Sequence, residues 1–164
     1  MNPLLKDESR PHESSTPRNS RREAREAILQ ILYAYEFTRE NPGKITEDVC
    51  ERFSDSAMDF IRLSCKQIIE CEKTLDAHIQ KHAENWDFER IALIDRLLMR
   101  IGINEILHFE DIPPKVSINE VIEISKRYST ENSSKFINGI LDAVYEDLKR
   151  GGQIHKTGRG IINS

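Results

Sequence analysis

The sequence predicts an all-α protein, and three observations lead there. Charged residues make up 32% and hydrophobic residues 38% of 164 residues, with only 7 glycines and 6 prolines, a balance that favours helices over a turn-rich sandwich or barrel. Apolar residues recur at helical spacing in several separate stretches. Ser20 with Glu23, and Ser117 with Glu120, have the capping-box spacing in which each side chain satisfies the other's free backbone N–H. The length suits one globular unit, or two small subdomains around one core.

Residues 1–19 hold three prolines, several serines and mixed charge, too little apolar surface to offset the cost of ordering, and read as a flexible tail. The first helix is expected from Ser20 to about Arg39. Ala24, Ala27, Ile28, Ile31 and Tyr35 form its apolar stripe, with Leu29, Tyr33 and Phe37 beside Arg22. Asn41-Pro42-Gly43 breaks the chain, and Thr46 can cap a short helix carrying Val49 and Phe53. After Ser54-Asp55, the spacing from Met58 to Ile79 predicts one long helix, bent or straight, ending before Trp86. Asp87 opens a segment whose wide apolar face (Ile91, Ile94, Leu97, Leu98, Ile101, Ile106) predicts a central helix. Ile112-Pro113-Pro114 ends it, and the next helix follows the Ser117 cap. Thr130 to Ser134 reads as a polar connector before the periodic Phe136 to Leu148 helix, which Gly151-Gly152 stops. The domain is expected over 20–149, with 150–164 a second loose tail.

Net charge is −4, so any positive patch must arise from local placement. Arg21, Arg22 and Arg25 make such a patch. They sit at a helix start, where cations oppose the macrodipole, so the placement costs stability and points to a polyanion partner. A solvated helix face is the plain alternative. Aromatic edges at Tyr33 and Phe37 next to guanidinium groups suit unstacked bases, although such residues also serve as core. Asn132-Ser133-Ser134-Lys135-Phe136 places small polar groups and a lysine where free N–H groups can hold a phosphate or simply cap a helix.

Two constellations allow a metal. Cys71, His78 and His82 share one helix face, and Glu105 with His108 has the Glu-x-x-His spacing of carboxylate-bridged bundles. Neither has a second copy or a clear further ligand, so packing residues are the simpler reading, and no cofactor is expected. No Gly-rich phosphate loop or nucleophile elbow occurs, which leaves an enzyme without support. Three cysteines (Cys50, Cys65, Cys71) without a paired Cys-x-x-Cys suggest reduced thiols. With no apolar run of about 18 residues and no secretory pattern at the start, a cytoplasmic protein with no membrane contact is expected.

Together, Arg21 to Tyr33 (Arg-Arg-x-Ala-Arg-x-x-Ile-Leu-Gln-x-Leu-Tyr), Pro114 to Glu123, and Lys135 to Asp142 strongly resemble the NusB transcription antitermination family, and Asp95 to Glu105 also fits. The resemblance spans about residues 20–149. It implies two packed helical subdomains, no catalysis, and binding to the single-stranded boxA element of ribosomal RNA leader transcripts. It also implies a protein partner, the small-subunit ribosomal protein that doubles as NusE, within an RNA polymerase antitermination complex. Carried over to this chain, the RNA-contacting positions fall on Arg21, Arg22, Arg25, Gln30, Tyr33, Asn132, Lys135 and Phe136, and His82, read from the residues alone as a surface contact, is expected to join them. The partner surface falls on Asp95, Pro114, Lys115 and Val116. Glu23 interrupts a stretch often more purely basic in the family, and Pro114 stands where an aromatic is common. A NusB-like domain also accompanies the catalytic domain of ribosomal RNA cytosine methyltransferases, a second expectation of the same binding class.

Overall fold

In a computed structural model, residues 20–162 are described, and among them all regular structure is helical. The helices are α1 (Arg21–Thr38), α2 (Gly43–Cys50), α3 (Asp55–Glu70), α4 (Glu72–His82), α5 (Leu93–His108), α6 (Pro114–Tyr128) and α7 (Glu131–Arg150), with short 3-10 turns at Phe88–Arg90 and Gly158–Ile161. The expected tail over 1–19 lies outside the described residues. No helix described is long and apolar enough to cross a membrane.

The first helix starts where its cap predicts, the Ser20 hydroxyl accepting from the Glu23 N–H, and it ends at Arg39, whose φ of 53° is left-handed. Ala24, Ala27, Ile28, Ile31 and Leu32 are buried, and so is Leu29, which the spacing alone places beside Arg22 on the outer flank. The second helix begins three residues before Thr46, because the Asn41 side chain accepts from the Gly43 N–H and Thr46 turns inward. The long helix expected from Met58 bends at Cys71 (φ −102°, ψ 13°) and continues as α4. That bend lets Ile61, Cys65 and Ile68 face α1 and α5, whereas Leu75 and Ile79 reach α5 and α7.

The central helix is α5. It is buried on nearly every side from Leu97 to Ile106 and touches α1, α3, α4, α6 and α7. Helices α1 to α3 form one packed group and α5 to α7 another, joined through α1 against α5 and α6 and through α3 against α5. Such all-round burial admits polar side chains only with partners. Arg100 accordingly donates to both Asp76 oxygens (2.6 and 2.9 Å), and Asn104 donates to Gln67 at 3.0 Å. Burial pushes the Asp76 carboxyl above its usual range, although Arg100 pulls it the other way.

Three boundaries differ from the sequence expectation. Helix α6 starts at Pro114, because a proline at the first helical position has its φ preset and no N–H to leave unpaired, and Ser117 falls inside the first turn. Thr130 to Ser134 is the opening of α7, with the Thr130 hydroxyl accepting from the Ser133 N–H at 3.1 Å. Beyond Arg150 the chain does not hang loose. Gly152, at φ 66°, reverses it, and residues 153–162 return to dock on the α5–α6 connection. Lys156 Nζ donates to the carbonyls of Glu105 and Phe109 (3.1 and 2.6 Å) at the C-terminal end of α5, and the Thr157 N–H donates to the Glu110 carbonyl at 3.0 Å. A cation there satisfies free carbonyls and complements the helix dipole. Periodicity carries no trace of such docking, since backbone groups and one lysine make it.

Truncating the fully buried Leu98 of the central helix to alanine leaves a cavity that several helices cannot all close. Urea unfolding of Leu98→Ala should show a loss of about 2–5 kcal/mol with an unchanged slope.

Candidate nucleic-acid interface

The arginine-rich start of α1 opens into a cavity of about 600 Å³, lined by Arg21, Arg22 and Arg25, the Asp111–Pro113 turn, Val116 and Glu120 of α6, and Arg159 and Ile162 of the docked C-terminal segment. The three helix arginines have three different environments. Arg25 is 2% exposed and makes a two-pronged pair with Glu105 of α5, itself 1% exposed, with both contacts at 2.8 Å. The Ser117 hydroxyl donates to the same carboxylate at 2.9 Å. Arg22 is half exposed and pairs with Glu120 of α6 (Nε to Oε2 2.7 Å, a second contact at 2.9 Å). Arg21 is exposed and lies over the Phe60 ring, 4.2 Å from its centroid, with no carboxylate pair among the described residues.

This division revises the sequence expectation for Arg25. Helical periodicity groups it with Arg21 and Arg22, yet it follows Ala24 into the core, where Glu105 neutralises it and no room remains for a phosphate. The Arg22 hydrogen bond holds the Glu120 carboxyl below its usual range. Further along the outer flank of α1, Gln30, Tyr33 and Phe37 are exposed, and the two rings meet edge to face with centroids 5.0 Å apart. Glu26 on that flank is held by Arg127 and Tyr128 of α6. The aromatic side chains are therefore surface groups and not core.

Other expected residues lie elsewhere. Asn132 and Phe136 line a cavity of about 280 Å³ with Trp86, Arg90 and Asp95, in which Trp86 and Phe136 stack edge to face at 5.3 Å. Lys135 lies in a groove between α6 and α7, 3.8 Å from Glu131. His82 lines none of these openings and sits 3.4 Å from Asp147. The expected partner positions do not form one surface. Asp95 is buried, accepts from the Ser129 hydroxyl at 2.8 Å and belongs with Asn132 and Phe136. Val116, by contrast, lines the arginine cavity, next to exposed Lys115 and buried Pro114. A charge reversal at Asp95 would strain the fold before it altered a contact surface.

The metal readings find little support. Glu105 is consumed by Arg25 and Ser117, which leaves His108 alone at the surface end of α5. No group of three or more His, Cys, Asp or Glu side chains is placed to hold a metal ion among the described residues.

Sequence reasoning missed Glu120, Glu105 and Arg159 as parts of this site. The two glutamates lie 98 and 80 positions from their arginines, beyond the reach of any periodicity. Arg159 had one local signal, its position between Gly158 and Gly160.

The NusB family model matches residues 22–146. The transcription antitermination protein NusB of Chloroherpeton thalassium is 50% identical over 149 residues, covering 88% of this chain and 70% of that protein. The protein of the same name from Salinibacter ruber is 43% identical, covering 88% and 92%. Among solved structures, T. maritima NusB superposes with a TM-score of 0.75 at 36% identity, over 80% of this chain and 94% of that one. NusB in a complex of antitermination factors NusB and NusE with double-stranded RNA gives 0.69 at 25% identity, over 77% and 96%.

Two stability outcomes follow from the ion pairs. Glu105→Ala leaves the Arg25 charge buried without a partner and should cost about 3–5 kcal/mol in chemical unfolding, whereas Arg25→Met with Glu105→Leu should recover most of it. Because the folded Glu120 carboxyl titrates below its unfolded value, its contribution is present above the ordinary glutamate range and is lost as pH falls through the folded value. Stability measured against pH should thus fall less steeply on the acid side in Glu120→Gln than in the parent.

Proposed function

Because this chain belongs to the NusB family, we propose that its target is the single-stranded boxA element of ribosomal RNA leader transcripts, bound jointly with NusE. The chain is a transcription antitermination factor and not an enzyme. One observation carries the RNA reading: an open cavity at the start of α1 lined by Arg21 and Arg22, on a helix whose outer flank exposes Gln30, Tyr33 and Phe37. Exposed guanidinium groups bind phosphates without regard to sequence, and aromatic faces take bases only when these are unstacked, which favours a single strand over a duplex. Arg25 acts from within, through Glu105, by setting how α1 lies against α5 and α6.

The second surface, where Trp86 (63% exposed) packs on Phe136 above Asn132, supports the partner reading. An exposed tryptophan seated on a half-buried phenylalanine, with a polar rim, is the composition protein interfaces favour. We assign NusE to this face in preference to the Lys115–Val116 turn, which shares its cavity with the arginines.

The test is titration of the full chain with a short boxA RNA, its scrambled version and a duplex of the same sequence, with and without NusE. Arg21→Ala with Arg22→Ala should weaken boxA binding and reduce the log–log salt slope by about 0.7 for each phosphate no longer neutralised. The folded Arg25→Met, Glu105→Leu variant should keep that slope. Trp86→Ala should reduce assembly with NusE and leave binding to RNA alone intact. Equal affinity for boxA, scrambled RNA and duplex would refute the single-strand assignment.

A further inference from the structure

We propose that the docked C-terminal segment completes the RNA site by delivering Arg159 to the wall of the arginine cavity, so that an anion there meets Arg21 and Arg159 from opposite elements. The inference rests on the RNA reading above and extends it to a part of the chain beyond the matched residues 22–146.

Charge balance carries the argument. Without the segment, the cavity holds the guanidinium groups of Arg21, Arg22 and Arg25 against the carboxylates of Asp111 and Glu120, with Glu105 directly behind Arg25. Three positive charges then face three negative ones. A site with no net charge, on a chain of net charge −4, offers a phosphate little attraction. Arg159 tips the balance. It is exposed on the cavity wall and has no ion pair among the described residues. Arg21, held over the Phe60 ring, is the other arginine there without a carboxylate pair among the described residues.

The segment is built to hold that position. Lys156 anchors it on the last carbonyls of α5, and the Thr157 N–H bonds to the Glu110 carbonyl. Gly160 then passes so close to the Glu110 backbone that a Cβ at that position would lie 1.8 Å from the carbonyl oxygen. Only glycine fits. Arg159 is the residue between this contact and the left-handed Gly158 (φ 53°), so its backbone is fixed on both sides. A tethered cation loses less freedom on binding than one on a loose tail.

The experiment measures binding of the full chain to a short single-stranded boxA RNA as salt is varied. Arg159→Ala should bind several-fold more weakly and lower the salt slope by about 0.7, the value for one phosphate on a single strand. Gly160→Val keeps every charge but cannot dock. It should raise the exchange rate of the Thr157 amide and reproduce the Arg159→Ala loss. Arg150→Ala, which removes an equal charge at the far end of α7, should leave the slope unchanged. If Arg159→Ala matches the parent at every salt concentration while Arg21→Ala with Arg22→Ala binds weakly, the inference is wrong and the RNA reading stands. Gly160→Val binding like the parent despite rapid Thr157 exchange would also overturn it. If the parent does not bind the RNA, both readings fall together.

Discussion

The buried pair of Arg25 and Glu105 is the constraint on which the rest of the structure depends. Two opposite charges almost fully removed from water must satisfy each other's hydrogen-bonding capacity, or the burial is strongly unfavourable. Here the guanidinium makes two parallel contacts and Ser117 supplies a further donor to the carboxylate. Three helices meet at that point: α1 through Arg25, α5 through Glu105 and α6 through Ser117. A fourth element joins where the Glu105 backbone carbonyl accepts from Lys156. The pair is directional, unlike the apolar contacts around it, and so sets the rotation of α1 about its own axis. That rotation decides which arginines reach solvent.

The consequence is a division of labour within five residues. Arg25 serves the core, Arg22 bridges to Glu120 at the edge, and Arg21 remains open over Phe60. Along the same seam Arg127 holds Glu26, so α1 and α6 are joined by charge pairs of alternating sense. Surface pairs of this kind add little stability singly. Their effect here is positional, because each fixes a long side chain along the seam, Arg22–Glu120 at the cavity itself, and leaves fewer cations free. A positive patch counted from sequence is therefore larger than the one the fold presents.

Much of the fold was legible in the sequence, and the reasons differ by element. The Ser20 cap, the break at Pro42-Gly43 and the central position of α5 follow from local chemistry and from the width of an apolar face, which short-range patterns report directly. The bend at Cys71 depends on what the two halves pack against, and no neighbouring residue signals that, whereas the early start of α6 follows from Pro114 at its first position, a local signal outweighed by the Ser117–Glu120 spacing. The candidate site was only partly legible. Arg21, Arg22, Gln30 and Tyr33 were visible because exposure follows helical period. Arg25 was not, because an arginine on an apolar stripe needs a distant carboxylate to make burial tolerable, and Glu105 lies on another helix. Asp95 and Val116, grouped by resemblance, separate because α5 and α6 present them at different openings. The docking of the C-terminal segment was not legible, since one lysine and backbone groups make it and neither leaves an apolar period; the glycines beside Arg159 were its one local signal.

The acidic balance of the chain gives these placements their functional sense. With net charge −4, long-range attraction to RNA is weak, so on the proposed reading affinity comes from a few cations close to the phosphates and from contacts on a second protein. Weak individual contacts suit a factor that acts only when assembled, because joining two modest surfaces on one RNA raises the effective concentration of each for the other. The fold keeps the two surfaces apart, with the arginine cavity where α1 meets α6 and the Trp86–Phe136 face at the start of α7. Both surfaces are attached to α5, since Asp95 lies at its first turn and Glu105 in its last. Over the 10 positions between these residues an α-helix rises about 15 Å, so one rigid, fully packed helix sets the distance between the two surfaces. A protein partner on one and RNA on the other would then be held in fixed register without any change of shape in the chain.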